Sequence, residues 1–151
     1  MGEKALNFRL KESDFSISLA NLNEVLHKFD RLKMPDPPRF FKGTLNLRGA
    51  IMSIYDLSEA LTGKKIEVEP LKTCVLVLNI EEHKFGVLVD EVLDVYSQDK
   101  SSLEKLDEAL SRKYHGLVTE VEHREDGIVL KVNVGLLKEF FGYGSAAWER
   151  A

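Results

Sequence analysis

Apolar and polar residues follow two patterns along the chain, a strict alternation in some segments and a helical spacing in others. Within residues 5–10, apolar Leu6, Phe8 and Leu10 alternate with polar Asn7 and Arg9, and residues 15–19 alternate in the same way after a short polar turn. A period of two is typical of half-buried strands, so these segments predict a hairpin. From residue 19 to 29 the apolar residues follow a helical spacing, although Asn21 and Asn23 weaken a long helix. A short helical turn that runs into a strand is the equal alternative there.

Three further pairs of apolar, β-branched segments flank turn-forming residues. The pair at residues 43–57 folds back at Arg48-Gly49, because glycine allows the positive φ that a tight hairpin needs. The other two pairs are 73–80 with 84–95, and 117–121 with 128–134. Together these segments predict nine or ten short strands.

Helical patterns are brief and lie between the strands. Residues 57–61 predict a short helix that ends near Gly63, residues 101–116 open with a capping-box pattern, and residues 136–141 suit a closing amphipathic helix. Short strands with frequent turn signals predict a mainly all-β fold, as closed antiparallel barrels or a sandwich. The alternating strand-helix order of a nucleotide-binding sheet is missing.

Composition narrows the class of protein. The chain has 151 residues, of which 44% are hydrophobic and 30% charged, which fits one soluble globular domain. A net charge of -4 without a dense Lys/Arg run argues against nucleic-acid binding. Cys74, the one cysteine, lies in an apolar run and is expected to be buried. We expect a cytoplasmic protein, because neither a signal-peptide segment nor a membrane-spanning run is present.

Candidate chemistry is sparse, so we expect no enzyme activity, cofactor or metal. The four histidines are scattered, neighbouring carboxylates on a strand point to opposite sides, and no phosphate-binding or nucleophile motif occurs. Asp90 interrupts an apolar strand. It is interpreted either as a strand bend that accepts backbone N–H bonds or as a partner contact.

Arg48 is the strongest binding candidate. A guanidinium on a rigid turn between two apolar strands can hold a partner's carboxylates or carbonyls through a fork of donors. The alternative is a salt bridge within its own domain. Since no nucleophile or base lies near it in the sequence, this turn indicates a binding module.

Four blocks of the sequence resemble the CheW-like domain. Residues 43–49 and 54–57 resemble its Gly-Val-Ile-Asn-Leu-Arg-Gly…Ile-x-Asp-Leu core, and residues 35–42 resemble the proline-marked approach to that core. Residues 85–95 are similar to its Gly-Leu-Val-Val-Asp-x-Val-x-Glu-Val signature, and residues 116–118 and 128–134 match its closing strands. The resemblance runs from about residue 5 to 141 in the correct order.

The resemblance implies a fold and a role. The fold would be two intertwined five-stranded SH3-like β-barrels with a few short helices, forming one domain over residues 3–142 with a tail at 143–151. The role would be an adaptor that couples the cytoplasmic tip of methyl-accepting chemoreceptors to the regulatory domain of the histidine kinase CheA. The protein would then be recruited from the cytoplasm to membrane-associated arrays without touching the membrane.

The resemblance also implies site residues. Arg48 would contact the receptor, and the rest of the receptor site would be Leu19, Leu22, Glu24, Val92 and Val95. Kinase contacts are placed near Leu32, Met34 and Lys42.

The sequence departs from the family pattern at three places. Ser53 stands where proline is usual, Ser58 stands where arginine is common, and residues 104–112 look more helical than the expected loop. An adaptor of another pathway, such as pilus motility, is therefore one alternative. A small-ligand-binding barrel and a nucleic-acid-binding small barrel are the others.

Overall fold

The structure, a computed structural model, describes residues 2–29 and 39–142 of the chain. Most of these residues lie in strands, and the helices are short. The strands are β1 Lys4–Leu10, β2 Ser13–Ser18, β3 Leu22–Leu26, β4 Phe41–Leu47, β5 Ala50–Asp56, β6 Cys74–Ile80, β7 His83–Val89, β8 Glu91–Ser97, β9 Leu103–Lys105, β10 Val118–Arg124 and β11 Gly127–Val132. The α-helices are α1 Leu57–Thr62, α2 Glu108–Lys113 and α3 Val134–Phe140, and 3-10 turns occur at Leu19–Asn21 and Lys100–Ser102.

The strands form two sheets that share one chain in an interleaved order. One sheet has six strands in the order β8-β1-β2-β11-β10-β9, and the other has five in the order β3-β6-β7-β5-β4. The chain therefore leaves the first sheet after β2, builds the whole second sheet, and returns. This confirms the predicted all-β fold of two intertwined SH3-like barrels. The six-stranded sheet exceeds the predicted five because β9 adds a short edge strand.

Two of the strand contacts are parallel, so the prediction of purely antiparallel barrels was wrong in part. β5 pairs with β7, and β2 pairs with β11, in parallel. Parallel neighbours need a crossover connection rather than a tight turn. Helix α1 and β6 supply that crossover between β5 and β7, and a sequence pattern of hairpins does not reveal it.

The main core lies where the two sheets meet. Phe8 and Phe15 of the six-stranded sheet stack with ring centroids 6.2 Å apart, and Tyr55 of the five-stranded sheet stacks on Phe141 at 4.5 Å. All four side chains belong to one buried cluster. A second cluster, which includes Ile54, fills the other face of the five-stranded sheet. The sheets are thus held together by a shared apolar core.

The six-stranded sheet curls until its non-adjacent strands touch. The Tyr96 hydroxyl on β8 donates to Glu122 Oε1 on β10 at 2.6 Å, although three strands separate β8 from β10. The Arg124 guanidinium lies 4.0 Å from the Tyr96 ring centroid and pairs with Asp94 at 3.5 Å. A polar network therefore closes this barrel.

The predicted helix over residues 101–116 was wrong in its first half. The capping-box pattern fails because Asp99 caps a 3-10 turn by accepting hydrogen bonds from both the backbone and the hydroxyl of Ser101. Residues Leu103–Lys105 then pair with β10, and helix begins only at Glu108. Pairing at an open sheet edge outweighed the local helical signal.

Other local predictions are confirmed. The 19–29 segment is a 3-10 turn followed by β3, as the second alternative proposed, and α1 ends at Gly63 with φ 79°. Asp90 lies at the bend between β7 and β8, where its carboxylate accepts the Lys11 N–H at 2.5 Å. Cys74 is buried, and burial raises the pKa of its thiol. Across the described ranges, none of the helices is long and apolar enough to span a membrane.

Candidate functional site

The β4–β5 turn presents Arg48 as the sequence predicts. Arg48 and Gly49 have φ values of 50° and 86°, and Leu47 pairs with Ala50 on either side of this two-residue loop. Positive φ at both positions is the geometry of a type I′ hairpin turn, which matches the twist of the flanking strands. The Asn46 side chain accepts the Gly49 N–H at 3.0 Å and fixes the loop.

Arg48 forms a forked ion pair with Glu24 on β3. The two bonds are Nη1–Oε2 at 2.7 Å and Nη2–Oε1 at 3.1 Å. Because β3 and β4 are the opposite edges of the five-stranded sheet, this pair joins the two edges at one end of the barrel. The hydrogen bond from Arg48 lowers the pKa of Glu24, and the bond to Glu24 raises the pKa of Arg48.

The ion pair leaves Arg48 largely open to solvent. Its side chain is 72% exposed, whereas that of Glu24 is 23% exposed. The sequence offered two interpretations of Arg48, an internal salt bridge and a partner contact. The structure contains the internal pair. Because the guanidinium is also exposed, the partner contact stays a prediction.

A bulge places Val92 and Val95 on the same face of β8. Val92 is opposite Phe8 and Val95 is opposite Leu6, with Leu93 as the extra residue. Phe8 and Leu6 both point into the main core, so the valines extend that core face to the open edge of the sheet. Val92 packs against the core, whereas Val95 is 54% exposed.

Leu19 and Leu22 lie where the chain crosses between the sheets. The Ser18 hydroxyl caps the 3-10 turn by accepting the Ala20 N–H at 3.2 Å, and β3 begins directly after it. Both leucines are half-buried against the main core. Ser18 and Tyr96 pair with opposite sides of Ala5, so one strand, β1, separates this crossover from β8.

The structure therefore groups the predicted receptor residues into two neighbouring pieces. Glu24 and Arg48 touch each other, and Leu22 precedes them on the same strand as Glu24. Val92 and Val95 occupy the edge of the other sheet. The two pieces belong to the two barrels and adjoin the crossover between them.

The predicted kinase residues are only partly described. Leu32 and Met34 lie outside the described residues. Lys42 is on β4, where its Nζ is 4.0 Å from Asp56 Oδ2, and its side chain is mostly buried. Lys42 thus faces a buried carboxylate of its own barrel.

Asp56 has an organising role that was not predicted from the sequence. Its fully buried carboxylate accepts the Glu59 N–H at 3.0 Å, which caps α1, and the Ile66 N–H at 2.8 Å, which anchors the following loop. The pattern of Asp56 followed three residues later by Glu59 is a capping-box signal that could have revealed it. Glu122 was also missed, and its strand carries no such signal.

No metal site is apparent in the described part of the chain, because no three His, Cys, Asp or Glu side chains converge there. His27 and Cys74 do approach each other, with Nδ1 and Sγ 3.3 Å apart. Two such groups form a contact but not a closed set of metal ligands.

Comparison with known proteins agrees with this architecture. A chain of the scaffolding protein TtCheW from Thermoanaerobacter tengcongensis superimposes with a TM-score of 0.78, at 24% identity, over 89% of this chain and 86% of that one. The chemotaxis protein CheW of Thermotoga maritima is 27% identical over 117 residues, covering 76% of each chain. The protein PilI of Pseudomonas aeruginosa is 31% identical over 129 residues, covering 80% of this chain and 67% of its own.

The length of the match differs among relatives. The chemotaxis protein CheW of Rhizobium meliloti is 29% identical over 94 residues, which is 62% of this chain but only 60% of that relative's length. The family model described as the CheW-like domain matches residues 4–139, and so covers both sheets, α1, α2 and all but the last residue of α3. The chain belongs to the CheW-like domain family.

Proposed function

We propose that the protein is a non-catalytic scaffold that couples methyl-accepting chemoreceptors to the histidine kinase CheA in chemotaxis. The observation that carries the proposal is the exposed, forked guanidinium of Arg48 beside an apolar sheet edge, on a CheW-like fold. Such a surface binds a partner through carboxylates and apolar side chains and offers no reacting group. The protein works in the cytoplasm and reaches membrane-associated arrays through its partners.

The receptor site consists of both pieces of the candidate surface. Arg48 and Glu24 supply the polar part, and the half-buried leucines of the crossover with Val92 and Val95 supply the apolar part. Exposed apolar residues beside a charged anchor resemble the anatomy of protein interfaces, in which few anchors carry most of the binding free energy. The tip of a receptor helix bundle is the partner that we assign to it.

The kinase site lies elsewhere on the domain, near Leu32, Met34 and Lys42, and takes the regulatory domain of CheA. Two separate surfaces on one rigid body allow one molecule to hold both partners. In an array, linked contacts raise the effective concentration of each partner, so each single interface can be weak. We assign these functions to one domain, residues 3–142, with residues 143–151 as its tail.

Calorimetric titration tests the two sites separately. The wild-type protein is expected to bind both the CheA regulatory domain and a soluble receptor tip fragment. Arg48→Ala should lose receptor binding and keep kinase binding and folding, because a turn substitution at the surface costs little stability. Lys138→Ala is the matched control, since Lys138 also forms an ion pair, with Glu81 at 3.3 Å, but lies on α3, away from β3, β8 and the crossover.

A charge swap separates the two roles of Arg48. The double variant Arg48→Glu with Glu24→Arg restores an ion pair between β3 and the turn but moves the guanidinium to β3. If Arg48 contacts the receptor, the double variant should fold normally and still fail to bind the receptor. Full recovery of receptor binding would show that only the internal pair matters and would remove Arg48 from the interface.

An adaptor role in pilus motility is the second candidate. The similarity to PilI over 129 residues favours it. The same titration, run with the CheA-type kinase of a pilus pathway, distinguishes the two. Tighter binding to that kinase than to the chemotaxis kinase would assign the protein to the pilus pathway.

A small-ligand role has one supporting observation. A cavity of about 1010 Å³ opens between the end of β3 and β4, lined in part by Leu26, Phe29, Leu45 and Leu47. Thermal-shift screening with a metabolite library tests this role. A reproducible shift of the melting temperature without any protein partner would favour it over the scaffold.

A further inference from the structure

Four planar groups form a continuous stack on the surface beside β4, α2 and α3. The Arg39 guanidinium carbon lies 4.6 Å from the Phe40 ring centroid, Phe40 lies 5.3 Å from Phe140, and Phe140 lies 5.2 Å from His115. We name these four residues the aromatic stack. Arg39 and His115 are exposed, and the two phenylalanines are half-buried. The stack therefore has an exposed member at each end, while its two phenylalanines also pack against the main core.

Two members of the stack are held in an unfavourable backbone conformation. Phe40 has a φ of 70° and His115 a φ of 57°, in the left-handed region that favours glycine. Hydrogen bonds fix both positions, because the Phe40 carbonyl accepts the Asp56 N–H at 2.7 Å and the His115 N–H donates to Arg112 at 3.0 Å. Bulky residues kept under backbone strain at a surface suggest a role beyond packing.

The surroundings of the stack are rich in unpaired cations. Arg39, Arg112 and Lys113 are exposed, and none of them forms an ion pair with a carboxylate in the described part of the chain. Arg112 and Lys113 form the last turn of α2, directly before the turn that carries His115. Two exposed carboxylates lie nearby, that of Glu139 beside Phe140 along α3 and that of Glu108 one turn before Arg112 on α2, so cations outnumber them. This surface is locally positive on a chain whose net charge is -4.

We propose that the aromatic stack and its cations form a docking surface for an acidic segment of a partner protein that carries an aromatic residue. The rings of Phe140 and His115 bind an aromatic side chain, and Arg39, Arg112 and Lys113 bind carboxylates. Charge complementarity selects an acidic partner. The negative net charge of the chain disfavours a nucleic acid, since nucleic-acid binders carry a dominant basic face.

This surface is distinct from the proposed receptor site, whereas Phe40 lies two residues before Lys42, the described member of the proposed kinase site. It is formed by Arg39, Phe40, the end of α2 and α3, whereas the receptor surface lies on β3, β8, the crossover and the β4–β5 turn. Its test therefore needs neither a chemoreceptor nor a kinase. Failure of one proposal leaves the other unaffected.

Fluorescence anisotropy with a labelled random copolymer of glutamate and tyrosine tests the proposal. The full chain is expected to bind this probe saturably, more tightly than labelled polyglutamate, and less tightly as salt rises. A labelled single-stranded oligonucleotide is the comparison for nucleic acid. Tighter binding of the oligonucleotide than of the copolymer would overturn the assignment to an acidic protein segment.

His115→Gly is the sharpest variant because it separates binding from folding. Glycine adopts the φ of His115 freely, so the variant should keep or raise the melting temperature. Loss of the ring should weaken copolymer binding about two- to tenfold. A lower melting temperature with unchanged binding would show that the ring serves only packing and would overturn the proposal.

Charge reversal supplies the second variant and its control. Arg39→Glu should weaken binding by at least about two- to fivefold. Lys100→Glu changes an equally exposed cation on the 3-10 turn before β9 and should bind as the wild type does. An equal loss of copolymer binding in both variants would show that binding depends only on the net charge of the protein. Copolymer binding that appears only after deletion of residues 143–151 would show that the chain's own tail occupies the aromatic stack. Either of these two results would overturn the proposal.

Discussion

Replacing Tyr96 by phenylalanine isolates the hydrogen bond that closes the six-stranded barrel. The Tyr96 hydroxyl donates to Glu122 Oε1 at 2.6 Å, and Glu122 is only 3% exposed. Phenylalanine keeps the ring on which the Arg124 guanidinium lies. Tyr96→Phe therefore removes one donor from a buried carboxylate and leaves the packing of the network in place.

The expected cost follows from the partners that remain. A hydrogen bond to a charged group contributes about 1.5–3 kcal/mol. Glu122 retains the Gln98 side-chain donor at 3.2 Å and the Asp99 N–H at 3.4 Å, so the loss should lie in the lower half of that range. We expect a decrease of about 1.5–2 kcal/mol in the free energy of unfolding at pH 7. This corresponds to a decrease of roughly 3–8 °C in melting temperature.

The same bond predicts a pH dependence. Burial, and then the hydrogen bond to Glu122, raise the pKa of Tyr96 from 10.0 to about 12. Between these values the folded protein keeps a proton that the unfolded chain has released, so stability falls as pH rises. The contribution is complete below about pH 10 and lost by about pH 12. Because Tyr96 is partly exposed to solvent, which screens this interaction, we expect the loss to be about 1–2 kcal/mol.

Urea unfolding followed by circular dichroism from pH 7 to pH 12 measures both effects. The stability difference between wild type and Tyr96→Phe should be largest at pH 7–9 and should close toward pH 12. Tyr114→Phe is the matched control, because it removes a hydroxyl that takes no part in this network. A difference below about 0.5 kcal/mol at pH 7, or one that stays constant through the alkaline range, would refute the reasoning.

Three further substitutions test separate features of the fold by urea unfolding. Gly86→Ala should cost about 1–3 kcal/mol, because the new Cβ would lie 2.8 Å from Val75 Cγ1 and 3.3 Å from Met52 Cε; a neutral result would mean that this core is loosely packed. Asp56→Ala should cost about 2–4 kcal/mol, since it removes the cap of α1 and a buried hydrogen bond to the following loop. A cost no larger than that of losing an exposed helix cap would show that the bond to the loop adds no stability. Gly49→Ala should cost about 1–2 kcal/mol because of its φ of 86°, and unchanged stability would show that the turn relaxes.

The sequence could predict the features that neighbouring residues decide. The Arg48-Gly49 turn and the end of α1 at Gly63 each depend on a glycine acting within its own segment. The bend at Asp90 was also predicted, although its carboxylate accepts from the distant Lys11 N–H. The four family-like blocks added the interleaving of the two barrels, which periodicity alone does not specify. Local chemistry and resemblance together therefore gave the fold class.

Contacts between distant segments could not be predicted from local chemistry or from the resemblance. Residues 103–105 carry a helical pattern but pair with β10, because an open sheet edge offers backbone hydrogen bonds that a local pattern does not show. Glu24 and Arg48 were both assigned to the receptor site from the family resemblance, yet nothing in their spacing predicted that they touch. Their pairing depends on the curl of a sheet whose two edges lie far apart in strand order.

The buried carboxylates of Asp56 and Glu122 are exceptions to the expectation that charged residues are solvated. Glu122 joins β10 to β8, and Asp56 joins the end of β5 to the loop after α1. A carboxylate has acceptor sites for several donors, so one side chain can hold two segments at once. Apolar periodicity determines which face of a strand is buried, whereas these acids fix contacts between segments within each half of the fold.

The ion pair with Glu24 uses only part of the N–H donors of the Arg48 guanidinium. Arginine carries five N–H donors, and the two bonds to Glu24 use one donor on each terminal nitrogen. The remaining donors belong to a side chain that is 72% exposed. A planar guanidinium fixed by one carboxylate has also lost most of its rotamer freedom, so a second acceptor binds it at a smaller entropic cost. The internal salt bridge therefore leaves Arg48 available to a second acceptor, and the two interpretations that the sequence left open are compatible.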